Sequence, residues 1–164
     1  MERNLTVRWI IFVLLCIGSI TIRPLVTSAE NGAQAGQKTV RLARIDEKHG
    51  VVEFKRAEEV NWNVVEKGML LYQGDRVRTG VQSSVDFRLE GGETSEVRLT
   101  ENTEVAFDHL FFDESEQASD TLLDLSVGKI LITSEDLSEG SDYNVRTPTS
   151  LVGIRGTAFE VEVS

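Results

Sequence analysis

Short runs in which apolar and polar side chains alternate dominate the chain from Thr39 to its end. The clearest run places Val85, Phe87 and Leu89 on one face and polar residues on the other. A period of two residues is typical of half-buried β-strands, because successive side chains point to opposite faces of a sheet. No stretch of useful length shows the period of about 3.6 residues that marks an amphipathic helix. The pattern predicts an all-β fold, a β-sandwich or a β-solenoid, in a single domain.

Individual runs predict local features of this domain. Val40 and Leu42 alternate with Arg41, and a polar turn at residues 46–50 then leads to a second run, which predicts a β-hairpin. Trp62 lies where the alternation fails, and we expect its large ring to pack against the core. Gly128 divides the apolar stretch 122–132 and predicts a pair of strands.

The closing stretch, residues 143–163, predicts two strands separated by a bend. Pro148 lacks a backbone donor and ends the first strand, while Phe159–Val163 alternate with glutamates as the second. Between them the sequence GIRGT, residues 153–157, forms a polar kink whose glycines permit backbone conformations that a β-carbon would obstruct. An acidic loop at residues 134–142 precedes this stretch.

The N-terminus has the organisation of a secretory signal. Residues 1–29 combine a basic start, an apolar core from Trp9 to Ile22 and a small-residue cleavage site before Glu30. The core is shorter than the roughly 20 residues of a membrane span, although an uncleaved anchor is the alternative. We interpret residues 1–29 as a signal peptide, 30–38 as a flexible linker and 39–164 as the β-domain. Membrane contact is then expected only if the signal is not cleaved.

The charge balance is strongly acidic. The chain has a formal net charge of −10, and removal of residues 1–29 leaves 14 basic against 26 acidic residues, a net charge of −12. Phosphate contacts need clustered lysines and arginines, so no nucleic-acid partner is expected.

Candidate catalytic and metal-binding residues are sparse. The histidines are His49 and His109, the one cysteine is Cys16 within the signal, and no G-x-S-x-G elbow is present. Nucleophilic catalysis and zinc binding both need such groups in defined spacing, so we expect no catalytic residue, no metal site and no cofactor. A glycosidase-like carboxylate pair and weak calcium binding by the acidic loop 134–142 stay open as alternatives.

Three stretches together resemble a known family. VRTP at residues 145–148 followed by VGIRGTAFEV at 152–161 resembles the closing signature of the FecR domain, which is named for a periplasmic sensor of the ferric citrate system. Residues 70–107 resemble its other signature, a Gly-Asp-x-Val-x-Thr-Gly element followed by a turn and a strand. Residues 122–132 resemble the family's central glycine-containing strands. The three stretches cover about the last two thirds of the chain in the expected order.

The residues that carry this resemblance are Gly74, Asp75, Val77, Thr79, Gly80, Gly128, Thr147, Pro148, Arg155, Gly156, Thr157 and Phe159. We interpret them as structural. Short polar side chains such as Asp75 and Thr79 bond nearby backbone at turns, and Arg155 can span strand-end carbonyls or a carboxylate.

The resemblance implies an exported, non-enzymatic domain, periplasmic or extracellular, that acts in protein–protein interaction or signalling in the cell envelope. Another envelope protein is the expected partner. Only eight residues precede the apolar run, too few for a sigma-binding module, so no direct sigma-factor contact is expected. An envelope polysaccharide-binding or structural protein is the alternative, and an enzyme is less well supported.

Ser164 directly follows the last predicted strand, whereas FecR-like domains usually continue with further alternating strands. The interpretation is that either the domain is truncated at its C-terminal end or its last strand forms an exposed edge that can pair with another chain.

Overall fold

The computed structural model describes residues 37–155 and 157–164, which form one curled, mainly antiparallel sheet. The strands within these residues are β1 (Lys38–Val40), β2 (Leu42–His49), β3 (Val52–Lys55), β4 (Asn63–Val64), β5 (Leu70–Leu71), β6 (Arg76–Thr79), β7 (Ser84–Glu90), β8 (Ser95–Leu99), β9 (Glu104–Asp113), β10 (Ala118–Ser134), β11 (Asp142–Arg146), β12 (Leu151–Gly153) and β13 (Ala158–Val163). In this part of the chain no helix occurs that is long and apolar enough to cross a membrane. The all-β prediction is confirmed. The proposed signal peptide lies outside the described residues.

The sheet has two halves that share β10. In the first half the order is β12, β11, β10, β9, β6, β3 and β4, with β1 also paired to β9. In the second half the order is β13, β10, β8, β7, β2 and β5. The β10–β11 pair is parallel, and the other described pairs are antiparallel.

Strand β10 passes from one half to the other at Gly128. Residues 118–127 pair with β9 in the first half, whereas residues 130–134 pair with β8 in the second. Gly128 has a φ of 91°, which bends the strand without reversing it. The prediction of two strands around Gly128 is therefore wrong, because one strand of 17 residues runs through this position.

The apolar positions of the alternating runs form the core between the two halves. The rings of Phe87 on β7 and Phe107 on β9 meet edge to face, with centroids 5.3 Å apart. Val85, Leu89 and the other inward positions of these strands are also buried. The periodicity therefore assigns the inward face of these strands correctly.

The predicted hairpin near the start of the domain is wrong. Strand β2 extends to His49 and pairs with β5 and β7, whereas β3 pairs with β4 and β6. A register shift between Ile45 and Glu47 interrupts the alternation, so the polar residues that follow resemble a turn in sequence. Gly50, with a φ of 70°, then turns the chain from the second half of the sheet to the first.

Trp62 lies on the outer surface of the sheet, not in the core. Its half-buried ring stacks against the guanidinium of Arg78 at 4.1 Å and the ammonium of Lys55 at 5.1 Å. The prediction of a core anchor is wrong, because cations on the outer faces of β6 and β3 cover the ring.

Candidate interaction site

The first family signature forms the turn that leads into β6. Gly74 has a φ of 88°, and a β-carbon there would lie 2.7 Å from the Ala57 side chain. The Asp75 side chain, which belongs to a residue only 3% exposed, accepts a hydrogen bond from the Tyr72 N–H at 2.9 Å and pairs with Arg56. These contacts fix the turn, and they leave no free functional group at Asp75 oriented to solvent.

The rest of this signature joins β6 to the neighbouring turns. Val77 is fully buried in the core. The Thr79 hydroxyl accepts a hydrogen bond from the Thr103 N–H at 3.0 Å, and the Gly80 N–H donates to the Val51 carbonyl at 2.9 Å. Both contacts are made with backbone groups, so these residues hold the corner of the sheet together.

Thr147 and Pro148 form the turn between β11 and β12. The Thr147 hydroxyl accepts a hydrogen bond from the Ser150 N–H at 3.0 Å, and the Thr147 N–H donates to the Ser150 carbonyl at 2.8 Å. Pro148 sits inside the turn, where its missing donor leaves no gap in the sheet ladder. The short strand β12, which the sequence did not predict, follows directly.

The closing signature connects β12 to β13. Arg155 and Thr157 are exposed, and the Thr157 carbonyl accepts a hydrogen bond from the Ser134 N–H at 2.9 Å. Phe159 is half-buried and meets the Tyr143 ring edge to face at 6.4 Å. Gly156 lies outside the described residues.

A cleft lined by both apolar and polar side chains separates β12 from β13. Within the described residues β12 pairs with β11 and β13 pairs with β10, so each strand has one open edge. The cleft contains two adjoining cavities of about 500 Å³ and about 190 Å³, and Val152 and Val161 line both of them. Pro148 and Val163 line the larger part, and Phe159 lines the smaller. This β12–β13 cleft combines apolar surface with unpaired strand edges, the combination that accepts another polypeptide.

The outer face of β13 beside the cleft is acidic. Glu160 and Glu162 are exposed, and their carboxylates lie 3.0 and 3.1 Å from the Lys129 ammonium. The Lys129 ammonium donates hydrogen bonds to the carboxylates of Glu160 and Glu162, and these bonds raise the pKa of Lys129. The single ammonium of Lys129 faces two carboxylates, so the outer face of β13 keeps a net negative charge.

A buried polar cluster at Arg41 and Glu93 was missed by the sequence analysis. Arg41 is 1% exposed and Val40 is 58% exposed, the reverse of what the alternation indicates, because the chain leaves β1 and enters β2 at Arg41. The guanidinium donates to the Thr121 hydroxyl and the Glu93 carbonyl, and burial lowers the pKa of Arg41. A lone arginine within an alternating run gives no signal that separates a buried side chain from an exposed one.

Glu93 completes this cluster with its carboxylate. Burial alone would raise the pKa of Glu93, but hydrogen bonds from the hydroxyls of Ser119 and Ser141 and from the Ser138 N–H outweigh it and lower the pKa to about 2. The carboxylate connects the β7–β8 turn to β10 and to the loop before β11, so its role is structural.

The described residues contain no group of three or more histidine, cysteine, aspartate or glutamate side chains placed to hold a metal ion. His109 lies 3.8 Å from Asp120 as a surface pair, and His49 is exposed at the end of β2. The structure brings neither histidine into the β12–β13 cleft.

Comparison with known families assigns more than half of the chain. The family described as FecR protein matches residues 75–164, which include β6 to β13, the closing signature and the first signature from Asp75 onward. No curated protein and no solved structure matches the chain. The chain belongs to the FecR family.

Proposed function

We propose that this chain is an exported, non-enzymatic FecR-family domain that binds another protein of the cell envelope and acts in signalling. Family membership supports a signalling or regulatory role. The observation that carries the proposal is the β12–β13 cleft, where two strand edges without a partner among residues 37–155 and 157–164 border apolar side chains. Strand edges of this kind give backbone hydrogen bonds to a partner, and the side-chain pockets between them give selectivity.

The distribution of shifted pKa values supports binding over catalysis. Catalytic groups with perturbed pKa values usually face a cleft where substrate binds. Here burial raises the pKa of Tyr143 and lowers that of Arg41, and both side chains lie in the interior. The carboxylate of Glu93 is occupied by hydroxyl and backbone donors. Arg41, Glu93 and Tyr143 do not line the β12–β13 cleft.

Pairing of the surface arginines supports a protein partner over a nucleic acid. Each of four arginines on the outer surface contacts a carboxylate, in the pairs Arg44–Glu90, Arg78–Glu53, Arg98–Asp86 and Arg146–Asp124. A nucleic acid would have to displace these carboxylates before it could use the arginines, and the net charge of the chain opposes its approach.

Photo-crosslinking in intact cells tests this proposal. A photoreactive phenylalanine analogue replaces Leu151 at the open edge of β12, and the control replaces Val64 on β4, at the other end of the sheet order. The two positions are equally exposed, at 64% each, so general encounters label them equally. We expect an adduct with an envelope protein from position 151 and none from position 64. Equal labelling, or an adduct of position 151 with envelope polysaccharide alone, would overturn the proposal.

A further inference from the structure

The backbone of β13 offers specific hydrogen-bonding groups at its open edge. The Ser134 N–H donates to the Thr157 carbonyl, just before β13, and the Lys129 carbonyl accepts from the N–H of Thr100, just after β8 on the other side. Backbone groups in an antiparallel ladder alternate between the two neighbours, so even-numbered residues of β10 bond towards β13 and odd-numbered ones towards β8. By the same register, Glu160 and Glu162 direct their backbone N–H and C=O groups away from β10, to the open edge.

The side chains of β13 would present two different rows to an added strand. Phe159, Val161 and Val163 pack towards the core and border the cleft, whereas Glu160 and Glu162 are exposed on the outer face. Opposite residues in an antiparallel pair point to the same face of the sheet. An added strand therefore needs apolar side chains on its inner row and side chains that tolerate carboxylates on its outer row.

A second copy of this chain fits the outer row poorly. If two β13 strands paired antiparallel with their apolar rows inward, Glu160 or Glu162 of one copy would lie opposite a glutamate of the other. Like charges directly opposite each other destabilise a strand pair. Lys129 already serves both carboxylates of its own chain, and each copy carries a net charge of −10.

We propose that β13 receives, as an additional strand, an extended segment of another protein in which lysine or arginine alternates with apolar residues. The proposal rests on the proposed function as a protein-binding domain and specifies the chemistry of the partner. Basic side chains pair with the carboxylates of Glu160 and Glu162, and the apolar side chains enter the β12–β13 cleft. Backbone groups of the same two glutamates form the new ladder.

Binding of two designed peptides to the full chain tests the charge preference. One peptide alternates Lys with Val over the length of β13, and the other alternates Glu with Val. We expect fluorescence anisotropy to show that the Lys peptide binds at least about tenfold more tightly than the Glu peptide. The affinity for the Lys peptide should fall as the salt concentration rises. A double variant, Glu160→Lys with Glu162→Lys, should reverse the preference. Equal affinity for the two peptides would overturn the proposal.

A proline substitution tests strand addition itself. Glu160→Pro removes a donor that faces the open edge and leaves the hydrogen bonds to β10 in place. Glu160→Gln is the matched control, because it removes the same charge and keeps the N–H. We expect Glu160→Pro to weaken binding of the Lys peptide at least about tenfold more than Glu160→Gln does. Amide exchange of the unmodified chain provides a readout without any variant: the Glu160 and Glu162 amides should become protected when the Lys peptide binds. Exchange that stays unchanged would overturn strand addition, and a dimer in sedimentation that Glu160→Pro abolishes would overturn another protein as the occupant.

The two proposals can fail separately. An envelope-protein adduct at position 151 whose yield does not change with Glu160→Pro would overturn strand addition on β13 and keep the proposed function. Selective Lys-peptide binding with protected β13 amides, but no cellular adduct, would support the site and overturn the proposed function.

Discussion

The backbone of Gly128 lies against Thr103 so closely that a β-carbon at Gly128 would come within 2.5 Å of the Thr103 Cα. The Thr103 hydroxyl accepts a hydrogen bond from the Lys129 N–H at 3.0 Å, next to this contact. Together they fix the point at which β10 leaves one half of the sheet for the other.

Gly128→Ala should lower the free energy of unfolding by about 2 to 4 kcal/mol, because it adds a steric clash to an unfavourable positive φ. Gly68→Ala is the control: Gly68 has a φ of 81°, but a β-carbon there meets nothing within 4 Å. Only the conformational cost of about 1 kcal/mol is expected there. Urea unfolding measures the free energy of unfolding of both variants. Equal decreases at Gly128 and Gly68 would show that the contact with Thr103 does not constrain the strand.

Asp75→Asn should lower the free energy of unfolding by about 2 to 3 kcal/mol, because it leaves the Arg56 guanidinium without its buried carboxylate partner. Asp86→Asn on β7 removes a carboxylate that accepts two hydrogen bonds from the Arg98 guanidinium, but this pair is exposed. Its loss should cost less than about 1 kcal/mol. Thermal unfolding of the two variants compares them directly, and a larger loss at Asp86 would contradict this reading of the β6 turn.

The stability of the domain should depend on pH through Glu93. Its pKa in the folded protein is about 2, below the usual value of about 4.3 in an unfolded chain. The stabilisation is complete above the unfolded value and is lost as the pH falls through the folded value. With allowance for solvent screening, we expect a loss of about 1 to 2 kcal/mol between pH 5 and pH 2.

Glu93→Gln should flatten this part of the pH profile and lower stability at pH 7. Glu101→Gln is the comparison, since Glu101 is exposed in the turn before β9. If the stability of Glu93→Gln depends on pH as strongly as that of the unmodified chain, another carboxylate controls acid unfolding.

Export predicts a mature chain that begins at Glu30. Intact-mass measurement of the protein from the envelope fraction should give the mass of residues 30–164. A species that keeps residues 1–29 would indicate an uncleaved anchor, and recovery only from the cytoplasm would contradict export.

Strand faces could be predicted from the sequence where the period of two continues without interruption. Val85, Phe87 and Leu89 are buried as the pattern indicates, since one strand, β7, carries all three. The same reasoning fails at Arg41, where the chain changes strands and the inward and outward positions exchange. The periodicity is a local property, and pairing between distant strands decides which residues lie inside.

Prediction of the candidate site was limited in a similar way. The sequence left two alternatives, a truncated domain or an exposed edge at the last strand, and β13 has an open edge within the described residues. Strand β12 and the cleft beside it could not be predicted, because they depend on how two short segments meet. The Asp75 carboxylate accepts from the nearby Tyr72 N–H, as short polar side chains do at turns, whereas the Thr79 hydroxyl accepts from the N–H of Thr103, which is distant in the sequence. For Gly156, a structural requirement stays a prediction from the sequence.

The shared strand β10 also constrains the order in which the chain can fold. Its residues, 118–134, pair with β8 and β9 from earlier in the chain and with β11 and β13 from later. During synthesis, β10 cannot connect the two halves until residues 118–134 have all emerged, and both halves then depend on the same strand. We therefore expect a single cooperative transition for the whole domain, with slow closure because distant segments must meet first.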